Sequence, residues 1–156
     1  MNPATPRAPY NASRSWKDTL ALFAAALWWG SLTAVGLMVV PQLFAHLETP
    51  ATAGRMAAKL FSTQTWVSCA CALVLLMAAR ARHADSGEDE TPSMDGLTKA
   101  IFWPVLGMLL ALIAEFAIAP RIVARENLAL WHSLGSGLYL AQWGVAAWVL
   151  FQQNRR

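Results

Sequence analysis

LALFAAALWWGSLTAVGLMVVPQLF, residues Leu20 to Phe44, runs for 25 residues without a charged side chain. A helix of about 20 apolar residues crosses the hydrocarbon core of a bilayer, and in lipid only a helix or a closed barrel pairs all of its backbone groups. The stretch therefore reads as a transmembrane helix. The same signal recurs at about Leu60 to Ala79, Ala100 to Ala119 and Leu128 to Phe151. The sequence thus predicts an all-α membrane protein, four transmembrane helices in an up-down bundle with both termini on the cytoplasmic side.

The composition agrees. Of 156 residues, 56% are hydrophobic and 13% charged, too apolar for a soluble domain of this length. One membrane domain, 19–152, uses nearly all of the chain, with spans at about 20–44, 60–79, 100–119 and 128–151. Residues 1–18, with three prolines among the first thirteen, read as a disordered cytoplasmic tail, and 80–99 as a flexible cytoplasmic loop. The first apolar run is about twice a signal-peptide core of 7–15 residues and no small-residue cleavage site follows it, so it is expected to be retained. A net charge of +3 could suggest nucleic acid, but the basic residues sit at span ends, where they set orientation, and no nucleic-acid partner is expected. Cys69 and Cys71 lie two positions apart in the second span, about 200° apart around a helix, and cannot pair with each other.

Lysine and arginine divide unevenly between the two ends of the spans. Arg7, Arg14, Lys17, Arg80, Arg82, Lys99, Arg155 and Arg156 fall at the termini and central loop, against Arg55, Lys59, Arg121 and Arg125 on the other side. The positive-inside rule then places both termini in the cytoplasm of an inner-membrane protein. Trp16, Trp103 and Trp148 fall near that interface and Trp131 near the outer one, as interfacial anchors should.

Within the spans, Ala26, Gly30 and Ala34 form a small-residue stripe that would let another helix backbone approach, and is expected to be the packing face of the first helix. Gly107, Ala111, Glu115 and Ala119 repeat that pattern in the third. Glu115 is the one acidic residue inside any span, so it should point into the bundle and find a partner such as His132 or Arg121. Thr49 and Pro50 look like the cap and first residue of the second helix, and Ser15 with Asp18 like a capping box for the first. Trp28, Trp29 and Trp143 lie at similar depth and are placed to stack. The segments VVPQLFAH (Val39 to His46) and IAPRIVAR (Ile118 to Arg125) echo one another in apolar pattern and in proline, which suggests a parallel repeat of helix pairs.

The polar groups that could carry chemistry are Gln42, His46, Glu115, Arg121 and His132, all within roughly two turns of the outer surface by helical rise. One reading is an interfacial hydrogen-bond network that fixes helix packing. The other is a periplasmic-side site in which His46 and His132 bind a haem or metal, with Glu115 orienting an imidazole. No catalytic motif is present, so the expectation is a non-enzymatic protein without a cofactor, embedded in the bilayer and acting through packing with itself or a membrane-protein partner. Haem- or metal-dependent redox chemistry is the alternative.

The run WWGSLTAVGLMVVPQLFAHLETPATAGRMAAKLF (Trp28 to Phe61), followed by Pro120 and by His132 opening the last span, resembles the domain-of-unknown-function family 4149, similar to transmembrane protein 205. That resemblance implies a four-helix membrane protein with no established catalytic residues to carry over. PQLFAH (Pro41 to His46) is more weakly similar to copper-resistance D-like proteins and to membrane protoporphyrinogen oxidases, which implies haem or metal. Gln42 stands where the oxidases would have a basic residue, and the first span lacks an early histidine.

Overall fold

The computed structural model describes residues 15–85 and 94–155, which form four long helices. We label them α1 (Trp16–His46), α2 (Pro50–Asp85), α3 (Leu97–Val123, with helix extending back to Met94) and α4 (Leu128–Asn154). Each contains a window long and apolar enough to cross a membrane. Helix therefore covers both ends of the 80–99 segment read as a loop, and Lys17 and Asp18 of the segment read as a tail belong to α1. The remainder of the tail and of the loop lies outside the described residues.

Local chemistry explains where the helices begin. Ser15 caps α1, its Oγ accepting from the Lys17 N–H at 3.4 Å, while Asp18 sits in the first turn at the positive end of the helix dipole. Thr49 caps α2 by accepting from the Thr52 N–H at 3.2 Å, and Pro50 follows at the first helical position, where its missing N–H costs nothing. The α3–α4 turn places Arg125 (φ 57°) and Asn127 (φ 35°) in the left-handed region, which reverses the chain within 124–127. The α1–α2 and α3–α4 turns lie at one end of the bundle, here the turn end. The start of α1 and the end of α4 lie at the other, here the terminal end.

The helices form a ring in which α1 and α3 each pack against both α2 and α4. The core is built on Ala21, Ala25, Trp28 and Leu32 of α1, with Cys71 and Leu75 of α2 and Ala146 and Val149 of α4. Trp28 lies over Gly107 of α3: a Cβ at that glycine would come within 2.6 Å of the indole Cζ2. The small stripe of α3 is thus a packing face. That of α1 is not, because Ala26 is exposed and a Cβ at Gly30 would meet nothing within 4 Å. The bundle interior needs volume from α1, which Trp28 and Leu32 supply, and close approach from α3, which Gly107 allows; the smaller α1 stripe is left facing outward.

Two π-helical segments, Ala34–Val39 in α1 and Ala114–Ile118 in α3, each end two residues before a proline, Pro41 and Pro120. Proline offers no N–H to the carbonyl four residues back and its ring crowds that carbonyl, so the preceding turn widens. The widening falls before Pro41, and Val40–His46 is regular α-helix. The matched positions strengthen the case for a parallel repeat. The second helix of each pair carries an aromatic-x-x-Gln sequence, FSTQ (Phe61 to Gln64) in α2 and YLAQ (Tyr139 to Gln142) in α4. Phe61 and Tyr139 meet edge to face at the bundle centre, 5.2 Å between centroids.

Candidate functional site

α2 is the polar hub of the bundle interior, where Ser62, Gln64 and Ser68 each reach a different one of the other three helices. Ser62 Oγ donates to Glu115 Oε1 of α3 at 2.6 Å. Gln64 Nε2 donates to Ser31 Oγ of α1 at 2.9 Å. Ser68 Oγ accepts from Gln142 Nε2 of α4 at 3.0 Å and, at 3.4 Å, from Gln64 Nε2. Gln64, Ser68 and Gln142 are all buried. In lipid each unpaired polar group is costly, so these contacts constrain how the helices sit against each other.

The hydroxyl inventory shows what the network can do. A serine has one donor and two acceptor lone pairs. Ser68 uses all three, since its own proton goes to the Gln64 carbonyl at 2.9 Å. Ser31 donates to the Trp28 carbonyl at 3.0 Å while accepting from Gln64. Neither hydroxyl stands next to a general base, so neither is arranged as a nucleophile. Along the α1–α4 seam, Tyr139 Oη donates to the Leu32 carbonyl at 2.7 Å, and Trp143 Nε1 to Thr33 Oγ1 at 2.9 Å, with Trp29 against Trp143 at 5.8 Å. Trp29 and Trp143 thus meet, but with their ring planes tilted by 43° rather than stacked, while Trp28 turns into the core.

Among the described residues, no hydrogen bond or ring contact joins His46, Glu115, Arg121 and His132 to one another. His46 is exposed, its Nδ1–H donating to the Gln42 carbonyl of its own helix at 3.1 Å. Arg121 lies over the Trp131 ring, 4.3 Å from the centroid. His132 is exposed. Glu115 is half-buried and does find a partner across the bundle, but the partner is Ser62 rather than His132 or Arg121. Among the described residues, no group of three or more His, Cys, Asp or Glu side chains is placed to share a metal ion. At the terminal end, Arg82 joins Asp18 at 3.0 Å and Gln153 at 3.4 Å, tying α2 to α1 and α4.

Sequence reasoning missed the midplane network because it looked for charge inside the spans, and Ser31, Gln64, Ser68 and Gln142 carry none. The available signal was a glutamine in each of two apolar spans, three residues after an aromatic.

A family model for a domain of unknown function, DUF4149, matches residues 23–129, more than half of the chain. The protein belongs to the DUF4149 family. The DUF4149 match runs from Phe23 in α1 through α2 and α3 and stops at Ala129, so Ser31, Gln64, Ser68 and Glu115 lie inside it and Tyr139, Gln142 and Trp143 beyond it. It does not bear on transmembrane protein 205 or on copper-resistance D-like proteins. No curated protein and no solved structure matches the chain.

Proposed function

We propose that this DUF4149 protein is a non-enzymatic inner-membrane component with both termini in the cytoplasm, which acts by packing with a second copy or a membrane partner. One contrast carries the reading. The glycines that serve the bundle are filled against neighbours: Gly107 against Trp28, and Gly36 against Tyr139, whose Cε1 would lie 2.5 Å from a Cβ. Gly30 on α1 and Gly137 and Gly144 on α4 have nothing within 4 Å of the same position. A glycine in a helix interior is about 0.8–1.0 kcal/mol less favourable than alanine, and close approach by another backbone is what it offers in return in a membrane.

The test is cysteine cross-linking in native membranes, with Cys69 and Cys71 replaced by alanine. Gly30→Cys and Gly137→Cys should give adducts of discrete mass, identified by mass spectrometry as a dimer or a heteromer, while Leu73→Cys on the lipid-exposed face of α2 should not. Equal and diffuse cross-linking at all three positions counts against the reading. The haem or metal alternative, at His46 and His132, is read on the same preparation. We expect no Soret band and no stoichiometric metal, and a haem spectrum lost in both His46→Ala and His132→Ala would replace the packing reading with a redox one.

A further inference from the structure

Glu115 stands apart from every other polar group in the bundle. It is the one acidic residue in the four apolar stretches, and it sits six positions before Arg121, about 9 Å deeper along the helix at 1.5 Å per residue. An ionised carboxylate has about four acceptor positions and is stabilised by cations or several N–H donors. Among the described residues Glu115 has one partner, the neutral hydroxyl of Ser62 at 2.6 Å.

The charged and titratable groups on the elements around it are committed elsewhere or lie nearer the surface. Lys59, three residues before Ser62 on α2, is exposed, as is Arg55. On its own helix Arg121 lies on Trp131, and Arg125 in the following turn is exposed. From α4 and its turn come His132 and Glu126, and from the end of α1 and its turn His46 and Glu48, all exposed. None of them forms an ion pair with Glu115. A carboxyl group with no cation beside it inside an apolar span is costly to keep charged. The backbone beneath it is also special, because Glu115 lies inside the π-helical segment Ala114–Ile118, and π-bulges in helices occur frequently at functional sites.

We propose that Glu115 and Ser62 form a membrane-embedded proton-binding site, a carboxyl group that takes its proton from hydronium at the turn end of the bundle and returns it there. Uptake converts carboxylate and hydronium into carboxylic acid and water. Ser62 donates to the carboxyl oxygen in both states and so positions the group without exchanging its own proton. The proposal is independent of whether the chain self-associates.

The experiment uses the full chain in proteoliposomes and the apolar reagent dicyclohexylcarbodiimide, which modifies protonated carboxyl groups within the bilayer. Mass spectrometry should find one adduct, on the peptide that carries Glu115. Its yield should fall as the pH is raised across a series from about pH 4 to about pH 9, and the adduct should be absent in Glu115→Gln. Infrared spectroscopy of the same samples supplies a readout that needs no reagent access: a carboxylic-acid C=O band that titrates with the labelling, is lost in Glu115→Gln and moves to higher frequency in Ser62→Ala. Absence of that band at every pH, or a band and an adduct that do not change across the series, overturns the proposal.

Discussion

Gly107 and Gly30 occupy equivalent-looking places in the sequence, each in a small-residue stripe of an apolar span, and the structure gives them opposite surroundings. Alanine at 107 would drive a methyl into the Trp28 indole, which is fully buried and cannot swing aside. Overpacking of this kind costs about 1–3 kcal/mol, so Gly107→Ala should lower the melting temperature in mild detergent, whereas Gly30→Ala in the monomer should leave it unchanged or raise it. A melting temperature equally lowered in both variants would remove the distinction. The midplane amides make a second comparison. Gln142→Leu removes a donor from Ser68 yet leaves Gln64 to satisfy it, while Ser68→Ala strips the shared acceptor from both glutamines. Interhelical hydrogen bonds in membranes average about 0.6 kcal/mol, so each effect is small. Their order, Ser68→Ala above Gln142→Leu in loss of stability, is the expected outcome in unfolding titrations. Leucine at Gln142 also leaves no polar atom behind, which favours the same order.

At the scale of elements, α3 shows how a backbone feature positions a side chain. Pro120 gives the local reason for the π-helical segment that ends at Ile118, and a π turn rotates everything before it relative to a regular helix. Pro120→Ala restores an N–H and should let Ala114–Ile118 relax to α-helix, turning Glu115 away from Ser62. The measurement is disulfide formation between Ser62→Cys and Glu115→Cys in a background lacking Cys69 and Cys71. The pair should cross-link readily with Pro120 present and several-fold more slowly with alanine there, and an unchanged rate would show that packing alone holds the segment. The four spans were legible in the sequence because hydrophobic length is a one-dimensional signal. So were the caps at Ser15 and Thr49, which depend on residues within one turn. Which stripe of α1 faces inward was not, because Trp28 fits only against Gly107 of α3, a complementarity between helices that no window along one helix contains. That Glu115 has a partner across the bundle was legible but the kind of partner was not: His132 or Arg121 was expected, and Ser62 was overlooked because serines in apolar helices usually bond to their own backbone, as Ser133 does to the Ala129 carbonyl at 2.8 Å.

For the whole molecule, the two helix pairs run in the same sense, with matched prolines and π turns in α1 and α3 and matched aromatic-x-x-Gln sequences in α2 and α4. Phe61 touching Tyr139, and Gln64 converging with Gln142 on Ser68, are the contacts expected when equivalent positions of a parallel repeat meet at an axis along the membrane normal. Such a repeat puts both pairs in the bilayer with the same orientation, so one charge asymmetry orients the whole chain. Eight of its twelve lysines and arginines fall at the terminal end or in the sequence flanking it, including Arg80, Arg82 and Lys99 around the α2–α3 connection. The residues that bias orientation most strongly are those within about 15–20 positions of a span, and all eight qualify. The terminal end should therefore face the cytoplasm. Alkaline-phosphatase fusions after Glu48 should be active, since the enzyme folds only after export, and fusions after Asp95 or Arg156 inactive, with a cytoplasmic reporter giving the reverse pattern. Because the bias is a sum over charges, replacing Arg80, Arg82 and Lys99 together by glutamine should raise phosphatase activity after Asp95, whereas replacing Arg55 and Lys59 should leave all three fusions as they were. Activity after Asp95 in the unaltered chain would invert the orientation and, with it, the side from which Glu115 draws its proton.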